Sequence, residues 1–324
     1  MIVDLPDTTT SKISKSLVSI REEGGVVTLG RVLTLIISTS LGEEEEVIEA
    51  ANDASREHPM RVIVISTESE DSVLRTKVDP GGRLDAQIRV GGDAGASEVI
   101  VLRAYGDTAS DEEGLVTGLL LPDAPVVSWW PGKMPHVVSK SPLGRIATHR
   151  ITDSSTQPDP HETLRHLSKA YAPGDVDFAW TRLTLWRAQL AAVLDQPPYE
   201  PVVRASVAGA IDSPSTVLLA AWLRLQLQIP VDYDLANRAT SQGGIHGVRL
   251  YRESGVIELE REVPNVARLI QPNQPTHDLA LPRRSLRDCL AEELRRLDPD
   301  DLYGEVITRG LNELEGADEG VATR

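Results

Sequence analysis

The chain has 324 residues, with 33 Lys plus Arg against 49 Asp plus Glu, for a formal charge of -16. That balance speaks against a protein that grips DNA or RNA through phosphates, or docks on anionic lipid, since both need a basic surface. With 40% hydrophobic and 25% charged residues the composition is that of a globular chain, and the length suits two domains.

Ile13, Leu17 and Ile20 at helical spacing predict a helix over 10–23, closed by Gly24 and Gly25. Arg31 to Thr39 reads as a buried strand. Glu43 to Glu57 reads as a helix stopped at His58-Pro59, and Arg61 to Ser66 as a second buried strand. Strand, helix and strand in that order predict a parallel βαβ unit with a right-handed crossover. Leu84 to Val90 and Ser97 to Ala104 alternate apolar and polar residues around Gly91, Gly92 and Gly95, which predicts an antiparallel hairpin. Glu112 to Leu121 follows as a helix and Pro125 to Trp130 as a strand ended by Pro131-Gly132.

The polar stretch Thr152 to Pro160 has no periodicity and is expected as a linker. Beyond it Ala179, Leu183, Trp186, Leu190 and Val193 form one apolar helical stripe. Pro201 to Ala208 reads as a strand. Ser213-Pro214 caps a helix carrying Leu218, Ala221, Trp222, Leu225 and Ile229, and Pro230 ends it. Four short runs (GVRLYRE, VIELERE, ARLIQP and HDLAL) suggest an antiparallel meander. Ser285 to Asp288 opens a final helix with Leu286, Leu290, Leu294 and Leu297. The expected fold is α/β in two domains. An N-terminal domain over 1–151 has a mixed sheet containing the βαβ unit and the hairpin. After a linker at 152–160, an α+β domain over 161–312 has antiparallel strands and flanking helices. A frayed polar tail takes 313–324.

Catalytic signatures are scarce. Gly25 to Arg31 superficially matches G-x-x-x-x-G, but a phosphate loop continues with Lys and Ser or Thr into a helix, whereas here Arg31 and Val32 open a strand. The glycines at 91, 92 and 95 do not make the dinucleotide fingerprint. His161 and His166 are five residues apart, off the spacing that would share one helical metal site, and H-E-x-x-H and G-x-S-x-G are both missing from the chain. The single cysteine, Cys289, falls on the apolar face of its helix and reads as a buried thiol. The run Glu43 to Glu46 sits at a helix start, where carboxylates complement the macrodipole. No catalytic, cofactor-binding or metal-ligating residue is assigned.

Two clusters stand out. In Ser128-Trp129-Trp130-Pro131-Gly132, consecutive strand side chains face opposite ways, so one Trp enters the core and the other covers a helix, a ligand or a partner. In Trp180-Thr181-Arg182 with Trp186-Arg187, Arg182 lies one turn before Trp186 and suits a carboxylate of the fold, an anion or a partner. Trp129, Trp130, Trp180, Arg182 and Arg187 are therefore the candidate partner interface. The opening MIVDLPDTTTSK has no basic segment leading into an apolar one, so no secretory leader is expected. The apolar run Val32 to Ile37 is far short of a membrane helix.

Six stretches together resemble one family, the OpcA proteins, known as glucose-6-phosphate dehydrogenase assembly proteins. They are DLPDTTTSKISKSLVSIREEGG at 4–25, EEVIEAANDASREHPMRVIVI at 45–65, LDAQIRVGGDAGASEVIVLRAYG at 84–106, LLLPDAPVVSWWPG at 119–132, YAPGDVDFAWTRLTLWRAQLAAVLDQPP at 171–198 and LPRRSLRDCLAEELRRLDPDDLYGE at 281–305. SWWPG and AWTRLTLWR are the most distinctive, and the likeness is greatest to the actinobacterial branch. The resemblance implies a cytoplasmic, non-catalytic accessory protein of the oxidative pentose phosphate pathway. Its partner would be glucose-6-phosphate dehydrogenase, whose assembly or activation it promotes; a second copy of the chain is a further candidate partner. It supplies no catalytic residues to carry over. Thioredoxin-linked control, known in the cyanobacterial branch, depends on cysteines that this chain lacks apart from Cys289. The GASGDLA-like and RIDHYLGKE-like segments of the dehydrogenase itself do not occur here. The alternative is a sugar-phosphate or nucleotide sensor or enzyme using an interdomain cleft, with Arg145, Arg182 and Arg187 as anion partners.

Overall fold

The computed structural model describes residues 1–24, 32–68, 82–91, 98–236 and 243–321. The chain divides into two compact units, Met1–Thr152 with Leu286–Pro299, and Asp153–Ser285 with Asp300–Arg324.

The first unit contains β1 (Ile2–Leu5), α1 (Thr10–Gly24), β2 (Leu33–Ser40), α2 (Glu44–Ala54), β3 (Met60–Thr67), β4 (Arg83–Val90) and β5 (Glu98–Tyr105), followed by α3 (Glu112–Thr117), β6 (Val126–Trp129), α4 (Pro142–Ile146) and β7 (His149–Thr152). Its strands lie in the order β1-β4-β5-β3-β2-β6-β7. The run from β5 through β3, β2 and β6 to β7 is parallel, and β4 and β1 extend it antiparallel. Leu35 to Ile37 and Val62 to Ile65 are fully buried, as strands covered on both faces require, which is why these segments read as continuous apolar runs. β4 keeps the half-buried alternation, with Leu84, Ala86 and Ile88 inward. Where β3 meets β5, Arg61 stands opposite Glu98. Their buried ion pair closes at 2.7 Å, and Arg61 also donates to the Leu119 carbonyl.

The second unit contains α5 (Pro160–Ala170), β8 (Asp175–Asp177), α6 (Phe178–Thr181), α7 (Thr184–Leu194), β9 (Arg204–Ala210), α8 (Pro214–Leu227), β10 (Val231–Ala236), β11 (Ile245–Arg252), β12 (Gly255–Val263), β13 (Val266–Ile270) and β14 (His277–Ala280). Its six-stranded sheet runs β10-β9-β11-β12-β13-β14. Strands β11 to β14 form the expected antiparallel meander. β9 and β10 are parallel, so β9-α8-β10 is a second βαβ unit. The sequence reading missed β10, although Val231, Tyr233 and Leu235 alternate there with Asp232 and Asp234. α8 is buried almost all round from Pro214 to Leu223 rather than on one stripe. Its Ser213 cap accepts from the Thr216 amide as expected, and Gln228 ends it in the left-handed region.

The chain then supplies α9 (Leu286–Glu293), α10 (Asp301–Glu305), a π-helical turn over Val306–Gly310, and α11 (Leu311–Val321). Helix α9 groups with the first unit rather than with the second domain where it was expected. It packs on α2, burying Cys289 and Leu290, and Arg287 lies 3.7 Å from Asp53. α11 replaces the expected frayed tail: Leu311 and Leu314 are buried, and the π turn and α11 pack on α8. A Cβ on Gly310 would lie 3.0 Å from the Ala221 carbonyl oxygen, so glycine sets that close approach.

Other boundaries differ locally. The helix expected to reach residue 121 stops at Thr117, and the one expected to reach 297 stops at Glu293. The apolar stripe of 179–193 spans two helices, α6 and α7, yet all five of its residues are buried as expected. Thr152 to Pro160 holds the end of β7, a 3-10 turn over Ser154–Thr156 and the start of α5, with Asp153 and Ser154 fully buried.

Candidate functional site

The second cluster is built where β8 runs into α6. Asp177 precedes α6 and is wholly buried. It accepts from the Ser154 amide at 2.9 Å, the Ser154 hydroxyl at 2.8 Å and the Ala179 amide at 2.9 Å. That cradle aligns the 3-10 turn with α6. Asp153 then faces Arg182, whose two terminal nitrogens donate to its carboxylate at 2.8 and 2.6 Å. The pair is bidentate, the geometry a planar guanidinium favours. Arg182 therefore answers a carboxylate of the fold.

Trp180 points the other way. Its indole N–H donates to Asp300 at 2.8 Å, and its ring lies 5.9 Å from that of Tyr303. Arg187 stacks 3.7 Å over the centroid of Trp180. Tyr171 meets Tyr303 edge-on at 6.0 Å. Burial among these rings and beside Asp177 and Asp175 pushes the Tyr303 hydroxyl well above its ordinary range. The cluster is a packed, hydrogen-bonded core element in which Arg187 is the outermost layer.

In the first unit, Trp129 and Trp130 are both buried. Trp129 sits in register with Ile37 of β2 and Ile151 of β7, and the Trp130 amide donates to the Ile151 carbonyl. Neither ring is presented to solvent, and the same holds for Trp180. Any part these three play in docking acts through the backbone they fix and not through their own faces.

β2 and β6 are also the neighbours between which strand order reverses, the place where doubly wound sheets bind ligands at the carboxyl ends of their strands. Here the chain leaves β2 through Leu41-Gly42 and enters α2 through Glu43 to Glu46. Glu44 is buried and turned inward. It accepts from the Ser66 hydroxyl at 2.7 Å, the Gly42 amide at 2.9 Å and Arg103 at 3.2 Å. Burial alone raises its carboxyl, yet these hydrogen bonds and Arg103 outweigh it and hold the group below the usual carboxylate range. Arg89 makes a bidentate contact with Glu45, whose pKa it lowers. Glu44 and Glu45 are thus structural, and with the exposed Glu43 and Glu46 the run leaves net negative charge at the start of α2, where a pyrophosphate would approach.

Arg145 is engaged by Glu113 at 2.7 Å. His161 lies 2.7 Å from the Ile211 carbonyl, and His149 is buried 3.3 Å from Glu293. Among the described residues, no group of three His, Cys, Asp or Glu is arranged to hold a metal. Cys289 is buried, as expected. The turn at 25–31 and the glycines at 92 and 95 lie outside the described residues. Among the described residues, no helix is long and apolar enough to cross a membrane. Sequence reasoning overlooked Arg261, Arg283 and Arg284, which line a cavity in the second unit together with Arg182. The available signal was Arg261 itself, an arginine at the next inward position after Ile257 and Leu259 in an alternating strand.

Fold and site define a two-unit α/β protein whose doubly wound half opens its switch point with glutamates instead of a glycine-rich phosphate turn. Residues 51–169 match the family model described as the glucose-6-phosphate dehydrogenase subunit N-terminal domain, and residues 173–307 match the one described as its C-terminal domain. The chain belongs to this OpcA family. A curated relative, the OxPP cycle protein OpcA of Synechocystis, is 29% identical over 147 residues, a match that takes in 44% of this chain and 26% of the relative. Among solved structures, an oxidoreductase from Sinorhizobium meliloti superposes with a TM-score of 0.48 at 12% identity, covering 89% of this chain and 96% of that one. An inositol dehydrogenase homologue from Azotobacter vinelandii, complexed with NADH and myo-inositol, gives a TM-score of 0.46 at 12% identity, covering 91% and 98%.

Proposed function

We propose that the protein is a non-catalytic accessory factor that binds glucose-6-phosphate dehydrogenase in the cytoplasm and promotes its assembly or allosteric activation in the oxidative pentose phosphate pathway. The observation that carries this reading is the presence, in order, of both domains of the glucose-6-phosphate dehydrogenase subunit family. The acidic switch point adds support, because its glutamates disfavour the pyrophosphate a dehydrogenase would have to bind. Such a factor activates only by binding the active conformer or oligomer more tightly than the inactive one, and allosteric couplings typically run to about 1–3 kcal/mol. Trp129, Trp130, Trp180, Arg182 and Arg187 serve this role by holding the geometry of the surface that docks.

The test assays glucose-6-phosphate dehydrogenase from the same organism with and without the protein at matched concentrations. The expected result is a changed rate or substrate response, together with co-elution on sizing. The absence of both a rate change and co-elution would overturn the proposal.

A further inference from the structure

The second unit contains a solvent-accessible cavity of about 170 Å³ whose walls include Arg182, Arg261, Arg283, Arg284, Trp186 and Ser215. Its described lining has four guanidinium groups and no carboxylate. In a chain of charge -16 that is an inverted local balance.

Each wall follows from the fold. In β12, Ile257 and Leu259 point into the core while Glu258 and Glu260 pair with Arg249 on the other face. Alternation then brings Arg261 to the inward side, where the pattern calls for an apolar residue. Its guanidinium carbon lies 5.0 Å from the Trp186 ring, and its Nε is buried without a hydrogen-bond partner. Such a group keeps its desolvation penalty unless something supplies an acceptor. The neighbour aimed at it is another cation: burial and the charge of Arg283 lower the Arg261 guanidinium to about 10. Partial burial of its head group also lowers Arg283, whose side chain is otherwise exposed. Arg283 donates to the Gly243 carbonyl, and Gly244, in the left-handed region at φ +91, turns the chain beside it. Arg284 donates to the Thr181 carbonyl at 3.3 Å, and Arg182, paired with Asp153, closes the remaining side.

We propose that this cavity binds a small phosphate-bearing metabolite, with Arg261 and Arg283 as its main ligands and Trp186 as the apolar wall against its carbon stem. A phosphate monoester offers close to two negative charges and three acceptor oxygens, enough to engage several guanidinium forks together. A lone carboxylate brings one charge and two oxygens. The space is that of a small phosphate ester rather than a dinucleotide. The inference goes beyond the accessory role and is tested on the protein alone, so the two stand or fall separately.

The test titrates the intact protein with inorganic phosphate, D-ribose 5-phosphate and citrate at constant ionic strength, followed by calorimetry and by thermal unfolding. Saturable stabilisation by the phosphates, stronger for the sugar phosphate and weak for citrate, is expected. Arg261→Met should stay folded, with a melting temperature at or above that of the parent, because it removes a desolvated charge facing another. It should bind at least about tenfold more weakly. Arg283→Met, at an exposed position, should weaken binding similarly and keeps the test decisive if the first variant folds poorly. Three results would each overturn the proposal: no saturable phosphate binding up to millimolar concentration, undiminished binding in both variants, or citrate binding as well as the phosphates.

Discussion

Asp153 and Arg182 show how one side chain can look functional in sequence and be structural in place. Asp153 is 1% exposed and its partner 27%, so the pair is largely withdrawn from water. Removing one member of such a pair leaves an uncompensated charge, typically worth 3–5 kcal/mol. Asp153→Ala should therefore lower stability by about 3 kcal/mol in urea titration, and Asp153→Ala with Arg182→Ala should cost less than the two single changes summed. Two glutamates of the first unit should respond to pH with opposite signs. Glu44 has a lowered folded pKa, so its stabilisation is full above the ordinary glutamate range and fades as pH falls through that range to the lowered value. Glu44→Gln should flatten the acid limb of stability between about pH 6 and pH 3. Burial raises Glu112, and the Ser38 hydroxyl at 3.4 Å only partly offsets it. Its ionised form thus costs stability above the raised pKa, and the cost disappears on acidification. Glu112→Gln should raise the melting temperature at neutral pH and leave it unchanged in acid.

Elements were legible wherever a local signal was strong. The runs of β2 and β3, the alternation of β4 and the Ser213-Pro214 start of α8 each carry their own cause in adjacent residues. Ser213→Ala removes the acceptor of the Thr216 amide and should cost about 1 kcal/mol by thermal unfolding. Elements were missed where stability comes from elsewhere. β10 holds its place through its pairing with β9, and α11 through Leu311 and Leu314 against α8. The polar sequence of α11 forms a helix because two residues have somewhere to go, which its spacing alone does not reveal. The break between α6 and α7 was hidden for the opposite reason: the apolar stripe continues straight across it.

For the whole molecule, the tryptophans set a condition on any test of the accessory role. Trp129 is wholly buried and Trp130 is 3% exposed. Truncating a buried aromatic typically costs 3–5 kcal/mol. Trp129→Ala should thus broaden or lower unfolding of the first unit by about that amount, so loss of dehydrogenase activation in this variant reports docking only if circular dichroism shows a native fold.

The sequence by itself determined the α/β class, the parallel βαβ unit, the hairpin, the antiparallel meander, the buried thiol and the family resemblance. These rest on periodicity, caps and text, which are properties of neighbouring residues. Only the tertiary structure decided that Leu286–Pro299 groups with the first unit, that both Trp129 and Trp130 are interior, that Arg182 belongs to Asp153, and that Arg261 and Arg283 face each other around a cavity. The reason is distance along the chain. Asp153 and Arg182 are 29 residues apart, and Trp180 and Asp300 are 120 apart. Burial and charge pairing across such separations are set by how sheets and helices close on one another, and no local pattern encodes that closure.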